Sequence, residues 1–138
     1  MSSFRIFDIA GSGVAAQNVR LNTVASNLAN SSSVSSTPEG TYKARFPVFE
    51  AVRGEINGQE TGAAVVVKEV IESGRAPNSR YEPSNPLADA NGFVYTPDIS
   101  TVEQITDMVS ASRSYQNNIE VMRTARDLMM ATFRLGQG

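Results

Sequence analysis

A three-four alternation of apolar positions occupies both ends of this chain, and the C-terminal one is too long for any core the rest could build. From Ile105 the stripe runs Ile105, Met108, Ser112, Tyr115, Ile119, Met122, Arg126, Met129 and Phe133, with seven of the nine positions apolar. That spacing keeps a single seam on a supercoiled helix. Ser100-Thr101-Val102-Glu103 supplies a capping box before it, with Ser100 accepting from a free amide and Glu103 reaching back. The pattern continues to about Arg134, and Gly136 can end it. A helix of ~34 residues is ~50 Å long. A compact domain of this chain's length has a radius of gyration of roughly 14 Å. The helix therefore projects beyond its own domain, and its stripe requires the N-terminal helix, other subunits, or both.

At the other end Phe4, Phe7, Gly11, Val14, Asn18, Leu21, Ala25 and Leu28 repeat the spacing. Ser2 or Ser3 can cap this helix, which runs to about Asn30. Residues 1–38 carry only Arg5, Asp8 and Arg20, whereas 39–98 hold nine acids and six bases. A helix so poor in charge is expected to be covered on several sides. Asn18, Asn22 and Asn27 read either as solvated positions or, for Asn18 on the seam, as a polar residue that fixes helix register.

Between the helices the sequence is irregular. Ser31 to Ser36 competes with the helix for backbone hydrogen bonds and reads as a loop, and Pro38-Glu39-Gly40 closes it with a turn. Tyr42 to Val52 is aromatic and β-branched, with Pro47 confining it to an edge or a break. Asn57-Gly58 fits a hairpin turn before a second strand from Ala63 to Ile71. Pro77, Pro83 and Pro86 impose an extended, ladder-poor segment. Asn91-Gly92 turns the chain into Phe93-Val94-Tyr95, which Pro97 ends. The fold class expected is α+β, mainly α, organised as an N-terminal helix (1–30), a serine- and proline-rich linker with a small β segment (31–99), and a C-terminal helix (100–138).

Several chemistries fit poorly. The net charge of −2 gives no basic footprint for nucleic acid or an anionic membrane. Without cysteine or histidine there are no disulfides, no thiolate chemistry and no Cys- or His-ligated metal site. The sequence Met1-Ser2-Ser3-Phe4-Arg5 lacks the start of a cleavable signal peptide. The longest apolar run, Ala63 to Val67, is far too short to span a bilayer. Gly11-Ser12-Gly13-Val14-Ala15-Ala16 matches the dinucleotide fingerprint GxGxxA, which makes a nucleotide-binding domain the rival from a different class. However, no acidic residue lies between Asp8 and Glu39 to hold a ribose, and no second βαβ unit follows. Asp89-Ala90-Asn91-Gly92 resembles the start of a calcium loop but lacks the terminal glutamate, so a turn is the simpler reading. Glu69 with Glu72, or Glu55 with Glu60, could be paired acids, yet carboxylates at this density read as a solvated face.

The residues do carry a family resemblance. Ser12 to Gln17 and Leu21 to Asn30 resemble the N-terminal signature of the bacterial flagellar axial proteins, the rod family above all. Thr37-Pro38-Glu39-Gly40, Tyr42 and Phe46 to Phe49 are similar to the segment that follows it. Tyr81 to Val94 resembles the family's proline-rich block, and Met108 to Asn118 its C-terminal motif, with Leu135-Gly136 at the end. The resemblance implies a non-enzymatic structural subunit of the flagellar basal-body rod, in the short, proximal branch of the family. It also implies export by the flagellar type III apparatus on an uncleaved N-terminal signal. The subunit would then assemble helically into a shaft crossing the periplasm that carries torque from the membrane ring to the hook. Another axial subunit, distal rod or hook, is the alternative within the class, and a stand-alone β-domain adaptor a further one outside it.

The expected interface comprises Phe4, Phe7, Val14, Leu21, Ala25 and Leu28 from the first helix, with Ile105, Met108, Tyr115, Ile119, Met122, Met129 and Phe133 from the second. No catalytic, metal or cofactor residue is expected. The partners implied are copies of the chain, other rod proteins, and membrane-ring and export-gate proteins, with no nucleic acid, small-molecule substrate or membrane insertion.

Overall fold

The computed structural model describes residues 3–56 and 59–136, with the side chains of 3–4, 55–56 and 59–61 outside that description. Two antiparallel ribbons lie between the helices in sequence, in the order α1 (Ser3–Asn30), β1 (Arg45–Ile56), β2 (Gln59–Glu72), β3 (Asn78–Tyr81), β4 (Phe93–Thr96) and α2 (Thr101–Gly136). The expected turn at Asn57-Gly58 and the cap at Ser2 lie outside the described residues.

Neither end of α1 carries a charge that complements the helix dipole. α2 has Glu103 in its first turn and Arg134 in its last, each stabilising by about 0.3–1 kcal/mol when exposed. The Ser100 hydroxyl accepts from the Glu103 amide at 3.3 Å, which is the forward half of a capping box. The return bond from Glu103 is not formed among the described residues. At the end of α1 the serine run acts as foreseen. Ser31 Oγ donates to Leu28 O at 2.8 Å and Ser33 Oγ to Asn30 O at 2.8 Å, satisfying carbonyls the helix can no longer use.

The helices pair antiparallel. A side chain at Gly13 would strike Asn118, Arg20 forms an ion pair with Asp107, and Asn27 bonds Gln104. The two outer contacts both step by fourteen residues, from 13 to 27 on α1 and from 118 to 104 on α2, so the register is constant. α2 has 36 residues against 28 in α1. Because its first turn lies beside the last of α1, its final turns overhang by about 12 Å at ~1.5 Å per residue.

β1 and β2 form a hairpin that packs on α1. Pro47 pairs with Val70 inside the ladder, which a two-stranded sheet permits because each strand keeps a free edge. The register shifts between Val48 and Phe49 and between Arg53 and Glu55. Gly62 sits at the second shift with φ +111°, and a Cβ there would lie 2.8 Å from Ile9 Cδ1 of α1. Glycine serves both the left-handed backbone and the close approach. β3 and β4 pair from Asn78–Thr96 to Tyr81–Phe93, and Ser35 bridges to Tyr95 on the other side of β4. Val94 in this ribbon is fully buried.

The core is small. Its buried apolar residues are Ala10, Ala16, Val24, Ala44, Val94, Ala111 and Ala125. Among the described residues no Leu, Ile, Met, Phe or Tyr is buried, whereas Phe46, Ile105, Leu128, Phe133 and Leu135 are exposed. Globular monomers have the opposite distribution.

Candidate assembly interface

Small side chains set the line along which the helices meet. Gln104, Ala111 and Ala125 are the buried positions of α2, separated by multiples of seven. Asn118 completes that series, Met108, Tyr115, Met122 and Met129 fill the alternate places, and all five are half-buried. The Met and Tyr positions of the expected stripe therefore lie along the contact with α1. The other half of that contact lies one residue earlier than the stripe read from Ile105. Ile105 and Phe133 point outward at 51% and 65% exposure, while Ile119 is half-buried. The physical reason is distance. Backbones that approach closely admit Ala, Asn or Gln at the contact, not Ile or Phe.

On α1 the expected set divides in the same way. Val14, Leu21 and Leu28 are half-buried, whereas Phe7 and Ala25 lie on the exposed face with Ala15, Asn18, Asn22 and Ala29. The side chain of Phe4 lies outside the described residues. Asn18 is not in the seam. It is exposed and accepts from Asn22 at 3.2 Å, so it fixes no register between α1 and α2.

Thr23, Asn27, Thr41 and Gln104 are the buried polar residues among those described, and of these Asn27 has no exposed surface. Its Nδ2 donates to Gln104 Oε1 at 3.0 Å and to Arg45 O at 2.9 Å. Its Oδ1 accepts from Tyr42 Oη at 3.0 Å and from the Arg45 amide at 2.9 Å. All four hydrogen-bonding positions of the carboxamide are used, and they join α1, the root of the hairpin and α2. Tyr42 also bonds Ser26 at 2.9 Å, and its ring lies 5.9 Å from the Arg45 guanidinium carbon. The expectation of a solvated position is overturned for Asn27, which nothing in its spacing separates from Asn22.

The glycine-rich segment is not a phosphate loop. Gly11-Ser12-Gly13 lies inside α1, where backbone amides are consumed by the helix. Ser12 Oγ donates to Ile9 O at 2.7 Å and accepts from the Val65 amide at 3.0 Å, seating β2 on the helix. The nucleotide-binding alternative fails on that context.

Asp89 is likewise occupied by the protein. Its carboxylate accepts from the amides of Asn91 (2.8 Å) and Phe93 (2.9 Å) and from Tyr95 Oη (3.0 Å). These bonds, that from Phe93 foremost, hold its pKa below the ordinary aspartate value, and the bond to Asp89 raises that of Tyr95. The Asn85 amide, helped by Arg80, lowers Glu82 in the adjoining turn. Glu72 faces Arg45 at 3.6 Å on the open hairpin, and Glu69, three residues earlier on β2, is exposed. Among the described residues no group of acids could hold a metal, and no helix is long and apolar enough to cross a membrane.

Two open grooves flank α2. One of ≈ 430 Å³ lies by Ile6, Val121, Ala125 and Leu128, and another of ≈ 460 Å³ by Ile105, Val109 and Arg113. Both are open troughs along the helix, the first shared with Ile6 of α1.

Paired terminal helices with exposed apolar side chains, a hairpin borne on the first helix and no metal cluster among the described residues fit a structural protein. The chain belongs to the flagellar basal-body rod protein family. The family described as "Flagella basal body rod protein" matches residues 7–35, and "Flagellar basal body rod FlgEFG protein C-terminal" matches residues 90–135. Along its length the chain is similar to the flagellar basal-body rod protein FlgC of Salmonella typhimurium, with 49% identity covering 99% of this chain and 100% of the relative. The FlgC protein of Escherichia coli O157:H7 is 46% identical over the same shares. That of Aquifex aeolicus is 40% identical over 96% of each.

Proposed function

We propose that this structural subunit of the flagellar basal-body rod occupies the proximal rod, where its helix pair joins an inner coiled-coil layer. Copies of the chain and other rod proteins cover its open faces, with membrane-ring and export-gate proteins at its base. The subunits assemble helically into a drive shaft across the periplasm that carries torque to the hook. Export proceeds through the flagellar type III route without cleavage of a signal, and the protein performs no catalysis.

One observation carries this reading. The chain buries alanines and two valines, no Phe, Leu or Ile among its described residues is buried, and Phe46, Ile105, Leu128, Phe133 and Leu135 are exposed. Covering one such side chain stabilises by roughly 1.5–3 kcal/mol, and over many subunits that suffices to resist torque without covalent links. Full-length similarity to proteins named as rod FlgC favours the proximal rod over the distal rod or hook. The test is a density map of basal bodies from cells carrying this chain. The chain should lie in the proximal rod with Ile105, Val109, Leu128 and Phe133 against neighbouring subunits. A chain found elsewhere, or with those residues facing solvent, overturns the reading.

A further inference from the structure

We propose that the buried carboxamide of Asn27 is a register lock that fixes where α1 stands along α2 and ties that choice to the root of the hairpin. The apolar pattern by itself leaves the register open. On α2 the knobs Met108, Tyr115, Met122 and Met129 recur every seven residues, and so do Gln104, Ala111, Asn118 and Ala125. α1 shifted by one heptad toward the C-terminus of α2 meets the same alternation of large and small side chains. The overhang leaves room for that shift, because α2 continues to Gly136. Gly13, now against Asn118, would then face Ala125, and Asn27 would face Ala111.

Polar groups distinguish the two states: the backbone bridge of Ser35 to Tyr95, which ties the end of α1 to the segment before α2, would part, and the side chains add the rest. In the observed register Asn27 meets Gln104 and satisfies all four of its hydrogen-bonding positions. After the shift it faces a methyl group, and Gln104 loses its partner because α1 then ends opposite Met108. An unsatisfied buried polar group is costly, which is how a single seam asparagine selects a register among helices. The ion pair of Arg20 with Asp107 acts in the same direction, but it is partly solvated and weaker. Tyr42 and Arg45 bond the same carboxamide as Gln104 does, so the helix register and the seating of β1 are one event.

The chain has no cysteine, so disulfide trapping reads the register directly. Gly13→Cys with Asn118→Cys reports the observed register. Gly13→Cys with Ala125→Cys, carrying Asn118→Ala to clear the neighbour of Gly13, reports the shifted one. Both are scored as intrachain bonds on whole-cell samples, which count unassembled chains with assembled ones. With Asn27 intact the first pair forms and the second is minor. Asn27→Leu, which keeps an apolar side chain of similar size, should raise the second pair on the order of tenfold. Gln104→Leu, which leaves the hairpin root bonded to Asn27, should shift the ratio the same way. An unchanged ratio in both variants overturns the lock. So does loss of both intrachain bonds, because that would mean Asn27 holds the helices together without choosing between registers.

Discussion

The Asn27 Nδ2 donates to Gln104 Oε1 at 3.0 Å across the helix pair, in a layer with no exposure for Asn27 and little for Gln104. Asn22, five residues earlier on α1, is exposed and bonds only Asn18. The two asparagines therefore predict unequal effects. Asn27→Ala leaves the Arg45 backbone and Gln104 without their partner, at about 1–3 kcal/mol for each group left buried, and leaves Tyr42 only Ser26. Incorporation into basal bodies, scored by immunoblot, and swimming in soft agar should both be lost. Asn22→Ala should leave both unchanged.

Gly13 tests the closeness of the helices. A Cβ there lies 2.7 Å from Asn118 Nδ2, so Gly13→Leu forces the pair apart, with an overpacking cost of about 1–3 kcal/mol. Motility should fall, and Asn118→Ala should recover part of it by clearing space. Failure of that rescue would argue that Gly13 matters for something other than the contact.

Leu21→Asp and Met122→Asp place a charge on half-buried seam positions of α1 and α2. Each should abolish rod incorporation while leaving the amount of protein in the cell unchanged. Fractionation of basal bodies reads this directly, and motile cells carrying either change would sink the interface proposal.

A core built from alanines and two valines gives little stability to a lone chain. The isolated protein at micromolar concentration should show far less helix by circular dichroism than α1 and α2 together require. A fully helical monomer that melts cooperatively would count against folding coupled to assembly.

The turn before β4 has a defined pH dependence. Asp89 has a pKa below its ordinary value in the folded chain. The folded state then favours the carboxylate, and the stability it contributes is present above the unfolded aspartate pKa. That contribution is lost as pH falls through the lower, folded pKa. Amide hydrogen exchange at Phe93 should therefore accelerate relative to Val94 only below the usual carboxylate range. In Asp89→Asn the acid-specific change should disappear. Tyr95, raised by the same contact, behaves inversely, with its contribution present below its unfolded pKa and lost as pH rises through the folded one.

The order of elements was legible from residues alone. Heptad spacing, the Ser100 cap and the charge-poor first helix gave two terminal helices, because those signals are local and periodic. Alternation and turn residues gave the hairpin, although β1 begins at Arg45 and runs through Pro47 to Ile56. The family was readable too, since its motifs are contiguous stretches of sequence.

The face that α2 presents to α1 was not readable in full. Periodicity weighs large apolar side chains and so favoured Ile105 and Phe133, whereas contact selects what fits between close backbones, here Gln104, Ala111, Asn118 and Ala125. Asn27 escaped for a related reason. In sequence it is one asparagine among several, and its partners Tyr42, Arg45 and Gln104 lie 15, 18 and 77 residues away. The sequence by itself determined that this chain has two seams and needs partners, because hydrophobic period is written locally. Only the tertiary structure decided which residues meet within the chain and which remain for others, because steric fit and the satisfaction of a buried amide depend on groups brought together from distant parts of the chain.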